Sequence, residues 1–242
     1  VAQQTANKIT NLLGPGSVTA ATRLVLTNAI YFKGDWSSPF PESYTRTLPF
    51  HLTAAQSVQA PLMYRSGSYK YFDGGTFQVL ELPYTGEELS MIVLLPKDIA
   101  GLPALEKSFT AANAQKWLGQ IQYPEKVEVT FPKFTQTAQF DLIGALTALG
   151  IRQAFDGSAA DFSGMTGGRD LWISAAVHKA YIGVDEKGTE AAAATGIIMT
   201  ATAMPNEPPP IEFKADHPFL FLIRENTSGA ILFMGRVTDP TK

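Results

Sequence analysis

The chain has 242 residues, of which 45% are hydrophobic and 17% are charged, and its formal net charge is −3. Cysteine is absent, which excludes disulfides, thiolate catalysis and cysteine-ligated metal sites, and the three histidines lie far apart in sequence. The negative charge argues against a nucleic-acid-binding surface, and no apolar run is long enough to span a membrane.

The spacing of apolar residues predicts the elements in chain order. Residues 1–13 read as the end of a helix, and a glycine- and proline-rich stop follows them. Residues 23–34 are apolar on both alternating faces, which predicts a central strand that is covered on both sides. Helices are predicted over 103–119 and 138–149. The other predicted strands are 45–51, 57–63, 68–73, 76–82, 89–95, 127–134, 171–185, 211–213, 219–223 and 230–237. Strand runs interleaved with few helices indicate an α+β fold.

Residues 186–210 form a connection between two predicted strands, and connections of this length are uncommon in compact domains. Three interpretations are open: a short helix over Ala191–Ala194, a solvated linker, or a potential strand. As a strand, the segment would place small uncharged side chains on one face, so that it could enter an existing sheet without steric hindrance. These side chains are Thr189, Ala191, Ala193 and Thr195.

Five stretches of sequence carry a family resemblance, namely 27–36 (TNAIYFKGDW), 131–134 (FPKF), 176–180 (AVHKA), 185–194 (DEKGTEAAAA), and 217–219 (HPF) with 233–237 (FMGRV). In this order they resemble the serpins, a family of serine protease inhibitors. The resemblance implies a serpin fold over 1–242, with a large mixed main sheet, two further sheets and surrounding helices. Its N-terminal part is expected to be missing from this chain and to be a partner segment. Residues 1–13 would be the end of the helix that lies over the main sheet.

By the same resemblance, residues 186–210 are the reactive-centre loop, which a target protease cleaves to form a covalent acyl-enzyme. The loop then inserts into the main sheet and traps the protease. Counting from Glu186 places the reactive bond between Thr202 and Ala203. The segment after the bond is longer than in typical members, which leaves open a shift of the register to Ala201–Ala203 or Met204. These small residues, and the lack of basic residues in the loop after Lys187, predict an elastase-like or subtilisin-like target with a small primary pocket. The alternative is a non-inhibitory serpin that acts as a binding, carrier or chaperone protein.

The resemblance also assigns three groups of site residues. Trp36, Lys133 and Glu186 form the breach, where insertion begins, and Asn28 and His178 form the shutter beneath the opening point. From the residues alone, Trp36 is a core residue, His178 is a buried, hydrogen-bonded histidine, and the two charges are solvated. The hinge comprises Glu186, Gly188, Thr189, Glu190, Ala191, Ala192, Ala193, Ala194 and Thr195.

The expected partner is a target serine protease, and no metal, cofactor, nucleic acid or membrane partner is expected. The protein is expected to be monomeric and secreted or extracytoplasmic. Enzymatic activity is not expected, because no nucleophile-elbow motif or comparable catalytic motif occurs.

Overall fold

The computed structural model describes residues 1–189 and 209–242. They form two compact units: a small unit of Val1–Phe32 with Gln136–Ile182, and a large unit of Lys33–Thr135 with Gly183–Lys242. None of the helices within the described ranges is both long and apolar enough to cross a membrane.

Strands dominate the secondary structure, as the α+β pattern predicts. The strands are β1 (Leu24–Tyr31), β2 (Gly34–Asp35), β3 (Arg46–Thr53), β4 (Gln56–Asp73), β5 (Phe77–Pro83), β6 (Leu89–Pro96), β7 (Gln122–Pro132), β8 (Phe134–Asp141), β9 (Ile173–Val184), β10 (Gly188–Thr189), β11 (Ile211–Lys214), β12 (Phe219–Glu225) and β13 (Ile231–Val237). The α-helices are α1 (Leu102–Ser108), α2 (Ala111–Leu118), α3 (Ile143–Ala148) and α4 (Ser163–Thr166), and single 3-10 turns lie at Gln3–Thr5, Glu42–Tyr44 and Gln153–Phe155.

The small unit is built on β1 and β9, which pair with each other directly and in parallel. Their register places Asn28 opposite His178. β8 pairs with β9 as well. The middle of β1 is open to solvent, and Leu26 is 43% exposed. The prediction of a strand covered on both sides is therefore wrong for the part of the chain that the structure describes, because nothing in it covers this stretch of β1.

Two predicted helices of the small unit are shorter than expected. Within residues 1–13 the helical part is Gln3–Thr5, because Ala6 and Asn7 adopt left-handed backbone conformations (φ 48° and 60°) that end it. The predicted helix 138–149 is wrong over residues 138–141, which continue β8. Helix α3 begins after Asp141, whose carboxylate accepts a hydrogen bond from the Ile143 N–H at 2.8 Å.

The large unit contains an eight-stranded sheet in the order β11-β7-β4-β5-β6-β12-β13, with β3 paired to β4. The predicted strands 57–63 and 68–73 are one 18-residue strand, β4, which pairs with β3, β7 and β5 in succession. The prediction of two separate strands is therefore wrong. The sheet is buried on both faces over much of its area.

Helices α1 and α2 flank one face of this sheet, where they replace the single predicted helix 103–119. The chain leaves the helix at Phe109, and Thr110 starts α2 by accepting a hydrogen bond from the Asn113 N–H at 3.2 Å. A threonine at this position is a common helix N-cap, so the break has a local cause. The apolar cluster on this face is Phe77, Val79, Ile92, Leu94, Leu102, Leu105, Leu220 and Leu222.

Candidate functional site

The chain reverses direction immediately after β9, at the start of the segment predicted to be a loop. The Asp185 N–H donates to the Gly188 carbonyl at 2.9 Å, and the Asp185 carboxylate accepts from the Lys187 N–H at 2.9 Å. This tight turn leads into β10, which pairs antiparallel with β2 and with Val184. Thr189, the last described residue before the gap, is therefore already part of a sheet and is 0% exposed.

Gly188 allows β10 to approach β2 closely. A Cβ at this position would overlap the Gly34 carbonyl oxygen and would lie 2.7 Å from the Cα of Asp35. Backbone atoms cannot move away as a flexible side chain can. The glycine predicted to belong to the hinge is thus required sterically, by the packing of one backbone on another.

Trp36 and Tyr84 form an aromatic stack beside this turn, with ring centroids 4.7 Å apart and an interplanar angle of 12°. The Trp36 indole N–H donates to the Asp185 carbonyl at 3.0 Å, and its backbone N–H donates to the Lys187 carbonyl at 2.8 Å. The Tyr84 and Thr189 hydroxyls lie 2.8 Å apart. Burial raises the pKa of Tyr84 more than its hydrogen bond with Thr189 lowers it, so the phenol stays protonated.

Glu186, at the tip of the turn, is buried and paired with Lys133. It is 6% exposed, and its Oε2 lies 2.7 Å from the Lys133 Nζ. The Thr45 hydroxyl donates to its Oε1 at 2.7 Å, and the Phe40 N–H donates to its backbone carbonyl at 2.8 Å. Burial raises the pKa of the Glu186 carboxyl, but the hydrogen bonds from Lys133 and Thr45 outweigh that effect, and the net pKa is below the ordinary value.

These contacts make one connected arrangement that holds the start of the predicted hinge against the large unit. Every member lies within hydrogen-bonding or ring-stacking distance of the turn 185–188 or of Thr189. We call it the hinge cluster, and its members are Trp36, Tyr84, Lys133, Glu186 and Thr189.

A second polar contact lies in the small unit, midway along the pairing of β1 with β9. The Asn28 Oδ1 and the His178 Nδ1 are 2.8 Å apart. Because an amide oxygen can only accept, the His178 Nδ1 carries the proton. The Phe140 ring stacks on the imidazole at 6.2 Å. His178 is only partly buried in the described structure, so the expectation of a buried histidine is wrong.

The structure thus brings together the residues predicted for the breach and, separately, the Asn28–His178 pair. Thr45 and Tyr84 were not predicted, because neither belongs to a recognisable motif and both are far in sequence from the hinge. The described residues contain no group of three side chains suited to hold a metal ion. The predicted residues that lie outside the described residues are Glu190, Ala191, Ala192, Ala193, Ala194, Thr195, Thr202 and Ala203.

Comparison with known proteins finds similarity over nearly the whole chain. A family model described as Serpin (serine protease inhibitor) matches residues 1–240. The chain is 44% identical to a leukocyte elastase inhibitor of Equus caballus, over 98% of this chain and 64% of that protein. It is 43% identical to Serpin B9 of Homo sapiens, over 99% of this chain and again 64% of the relative.

Solved structures match at the level of the fold. The crystal structure of uncleaved ovalbumin superimposes with a TM-score of 0.86 at 33% identity and covers 99% of this chain and 60% of that chain. Human thyroxine-binding globulin, solved in complex with its hormone, gives a TM-score of 0.85 at 31% identity. The chain therefore spans less than two-thirds of the length of each of these relatives.

Proposed function

This chain belongs to the serpin family, and we propose that the protein is an irreversible suicide-substrate inhibitor of a serine protease. The observation that carries the proposal is the placement of Thr189, which is fully buried in β10 at the point where the hinge leaves the end of β9. The start of the predicted hinge, Gly188 and Thr189, is thus already paired with the sheet. The small side chains that follow it in sequence favour further entry.

We infer that the path of entry lies between β1 and β9, which pair directly in the described structure. The side chains that would face the core on this path are small and uncharged. A charged side chain in their place would cost several kcal/mol of desolvation. The hinge composition therefore favours insertion over simple digestion of the loop.

The proposed reaction begins as ordinary proteolysis. The serine oxygen of the protease bonds to the carbonyl carbon of Thr202, the bond to the Ala203 nitrogen breaks, and that nitrogen takes up a proton. The product is an ester between the two proteins together with a free amine on Ala203. Insertion of the hinge must then carry the ester away from its hydrolytic water before deacylation occurs. The outcome depends on which step is faster.

We propose that the target has a small or shallow primary pocket, as elastase-like and subtilisin-like enzymes have. The small residues at the predicted bond support this, and the chain has no lysine or arginine between Lys187 and Lys214. The similarity to relatives named leukocyte elastase inhibitor points in the same direction.

The test is denaturing electrophoresis of the protein after incubation with an elastase-like protease. We expect a covalent band at the summed mass, and sequencing of the released C-terminal peptide should begin at Ala203. A protease whose catalytic serine is replaced by alanine is the matched control and should give no such band. Cleavage without a covalent band for elastase-like, subtilisin-like and chymotrypsin-like enzymes would overturn the proposal.

The non-inhibitory alternative is separated by a second measurement on the same protein. An inhibitory serpin should become much more resistant to heat after cleavage in the loop, because the inserted strand gains two partners. A carrier or binding protein that does not insert its loop should melt at the same temperature before and after cleavage. Equal melting temperatures would therefore favour the alternative.

A further inference from the structure

His217 lies between two hydrogen-bond acceptors in the large unit. It is 7% exposed, its Nδ1 is 2.9 Å from the Asp216 Oδ1, and its Nε2 is 2.7 Å from the Pro96 carbonyl oxygen. A neutral imidazole carries one N–H and can donate to one of these atoms. Both contacts are hydrogen bonds only when both ring nitrogens are protonated.

The groups around the ring support a positive charge there. The carboxylate in contact with the imidazole is that of Asp216, and its second oxygen lies 2.9 Å from the Lys214 Nζ. Burial raises the pKa of Asp216, but the hydrogen bonds from His217 and Lys214 bring it below its ordinary value, so this side chain is an ionised acceptor. Lys97, next to Pro96, is paired with Asp73 at 2.8 Å. His51 contributes its backbone N–H to the Asp216 carbonyl at 2.7 Å.

This contact secures β11, the strand that begins shortly after the segment 190–208. β11 has four residues, lies at one end of the sheet order and pairs with β7. The prolines before it have no N–H to donate. At its other end, the Ala215 N–H donates to the Thr130 carbonyl at 2.9 Å, and His217 ties the chain to the end of β6. A strand this short depends strongly on how its ends are held.

We propose that His217 is a positioning residue that donates one hydrogen bond from each ring nitrogen and so anchors the C-terminal end of β11 to the end of β6. Removal of either donor leaves a buried acceptor without its partner. The consequence for inhibition, a firmly held strand on the C-terminal side of the reactive loop, rests on the proposed function.

Two measurements on the protein carrying this chain test the anchor without any protease. The ring-nitrogen chemical shifts report directly which nitrogens carry protons, and we expect both His217 nitrogens to be protonated while β11 is protected. Hydrogen exchange of the amides at 211–215 should be about tenfold faster in His217→Gln than in the wild-type protein at the same pH. The amides of β12 should exchange at the same rate in both proteins.

The side chain of His217→Gln donates from a single nitrogen and so cannot replace the two ring nitrogens that reach opposite acceptors. His51→Gln, which removes a ring that contributes nothing to the anchor, should keep the wild-type exchange rate in β11. A single protonated nitrogen on His217 while β11 stays protected would overturn the proposal, as would wild-type exchange of 211–215 in a folded His217→Gln. If His217→Gln does not fold, the nitrogen shifts of the wild-type protein still decide. Neither readout depends on whether the protein inhibits a protease, so the two proposals fail separately.

Discussion

Replacing Lys133 by methionine measures how firmly the hinge cluster holds the turn after β9. Methionine keeps most of the length of the side chain and removes the charge. The Glu186 carboxylate then keeps the Thr45 hydroxyl but loses the ammonium group 2.7 Å away. Breaking a fully buried ion pair costs about 3–5 kcal/mol, but Lys133 is 36% exposed and water can partly replace it. We therefore expect Lys133→Met to lower the free energy of unfolding by about 2 kcal/mol.

The assay is denaturant unfolding of the protein carrying this chain, with Lys97→Met as the matched control. Lys97 is paired with Asp73 at 2.8 Å, a nearly equal distance, but both partners are well exposed. This control should cost much less than Lys133→Met, because solvent screens an exposed pair. In a background of Glu186→Gln, Lys133→Met should also cost less, because no buried charge is left without its partner. Equal losses for Lys133→Met and Lys97→Met would refute the reasoning.

The same variant should change the response to acid. The pKa of Glu186 is lowered in the folded protein, so its contribution to stability is present above the ordinary glutamate pKa and is lost as the pH falls through the lowered folded value. Without Lys133 the folded-state pKa moves back up. The stability of Lys133→Met should consequently depend less on pH in the acid range, and a set of unfolding curves between pH 7 and pH 3 would reveal it.

Three further variants test other parts of the site. Thr189→Arg should still be cleaved but should lose the covalent band, and a stoichiometry of inhibition equal to wild type would contradict the buried hinge. Gly188→Ala should destabilise the protein by more than about 1 kcal/mol through overlap with Gly34, whereas Gly144→Ala, where a Cβ meets no neighbour, should be neutral or better. His178→Ala loses the 2.8 Å bond to Asn28 and should lower the melting temperature and increase the polymer fraction on native gels. Wild-type values of both would show that this pair does not hold β1 to β9.

Period-two patterns in the sequence located most of the strands, because apolar and polar side chains alternate along a strand that has one face buried. The pattern failed where the tertiary context decides. Residues 138–141 continue β8 because β9 provides a partner strand, and no local signal records that partner. The break at Thr110 could have been recognised from its capping potential. The solvent exposure of the middle of β1 could not be recognised from the sequence, since the strand is apolar on both faces.

For the candidate site, the resemblance to serpins predicted Trp36, Lys133 and Glu186. In the structure all three lie at the turn after β9. It did not indicate Tyr84, which reaches Thr189 because β5 ends beside the turn after β9. Such a contact forms because two segments that are distant in sequence meet in the fold, so no local sequence pattern predicts it. The monomeric state and the extracytoplasmic location stay predictions.

The parallel pairing of β1 with β9 has an energetic consequence for the proposed trap. The two strands are paired over eight residues, and a chain that returns from the turn 185–188 runs opposite to both. Its entry would exchange one parallel ladder for two antiparallel ladders, and antiparallel pairing is slightly more stable per residue. If the proposed insertion occurs, the uncleaved sheet is a kinetically protected state of higher free energy, and the gain in backbone pairing contributes to the driving force. Substitutions along β1 and β9 should accordingly change the rate of loop insertion more than they change the free energy of the inserted state.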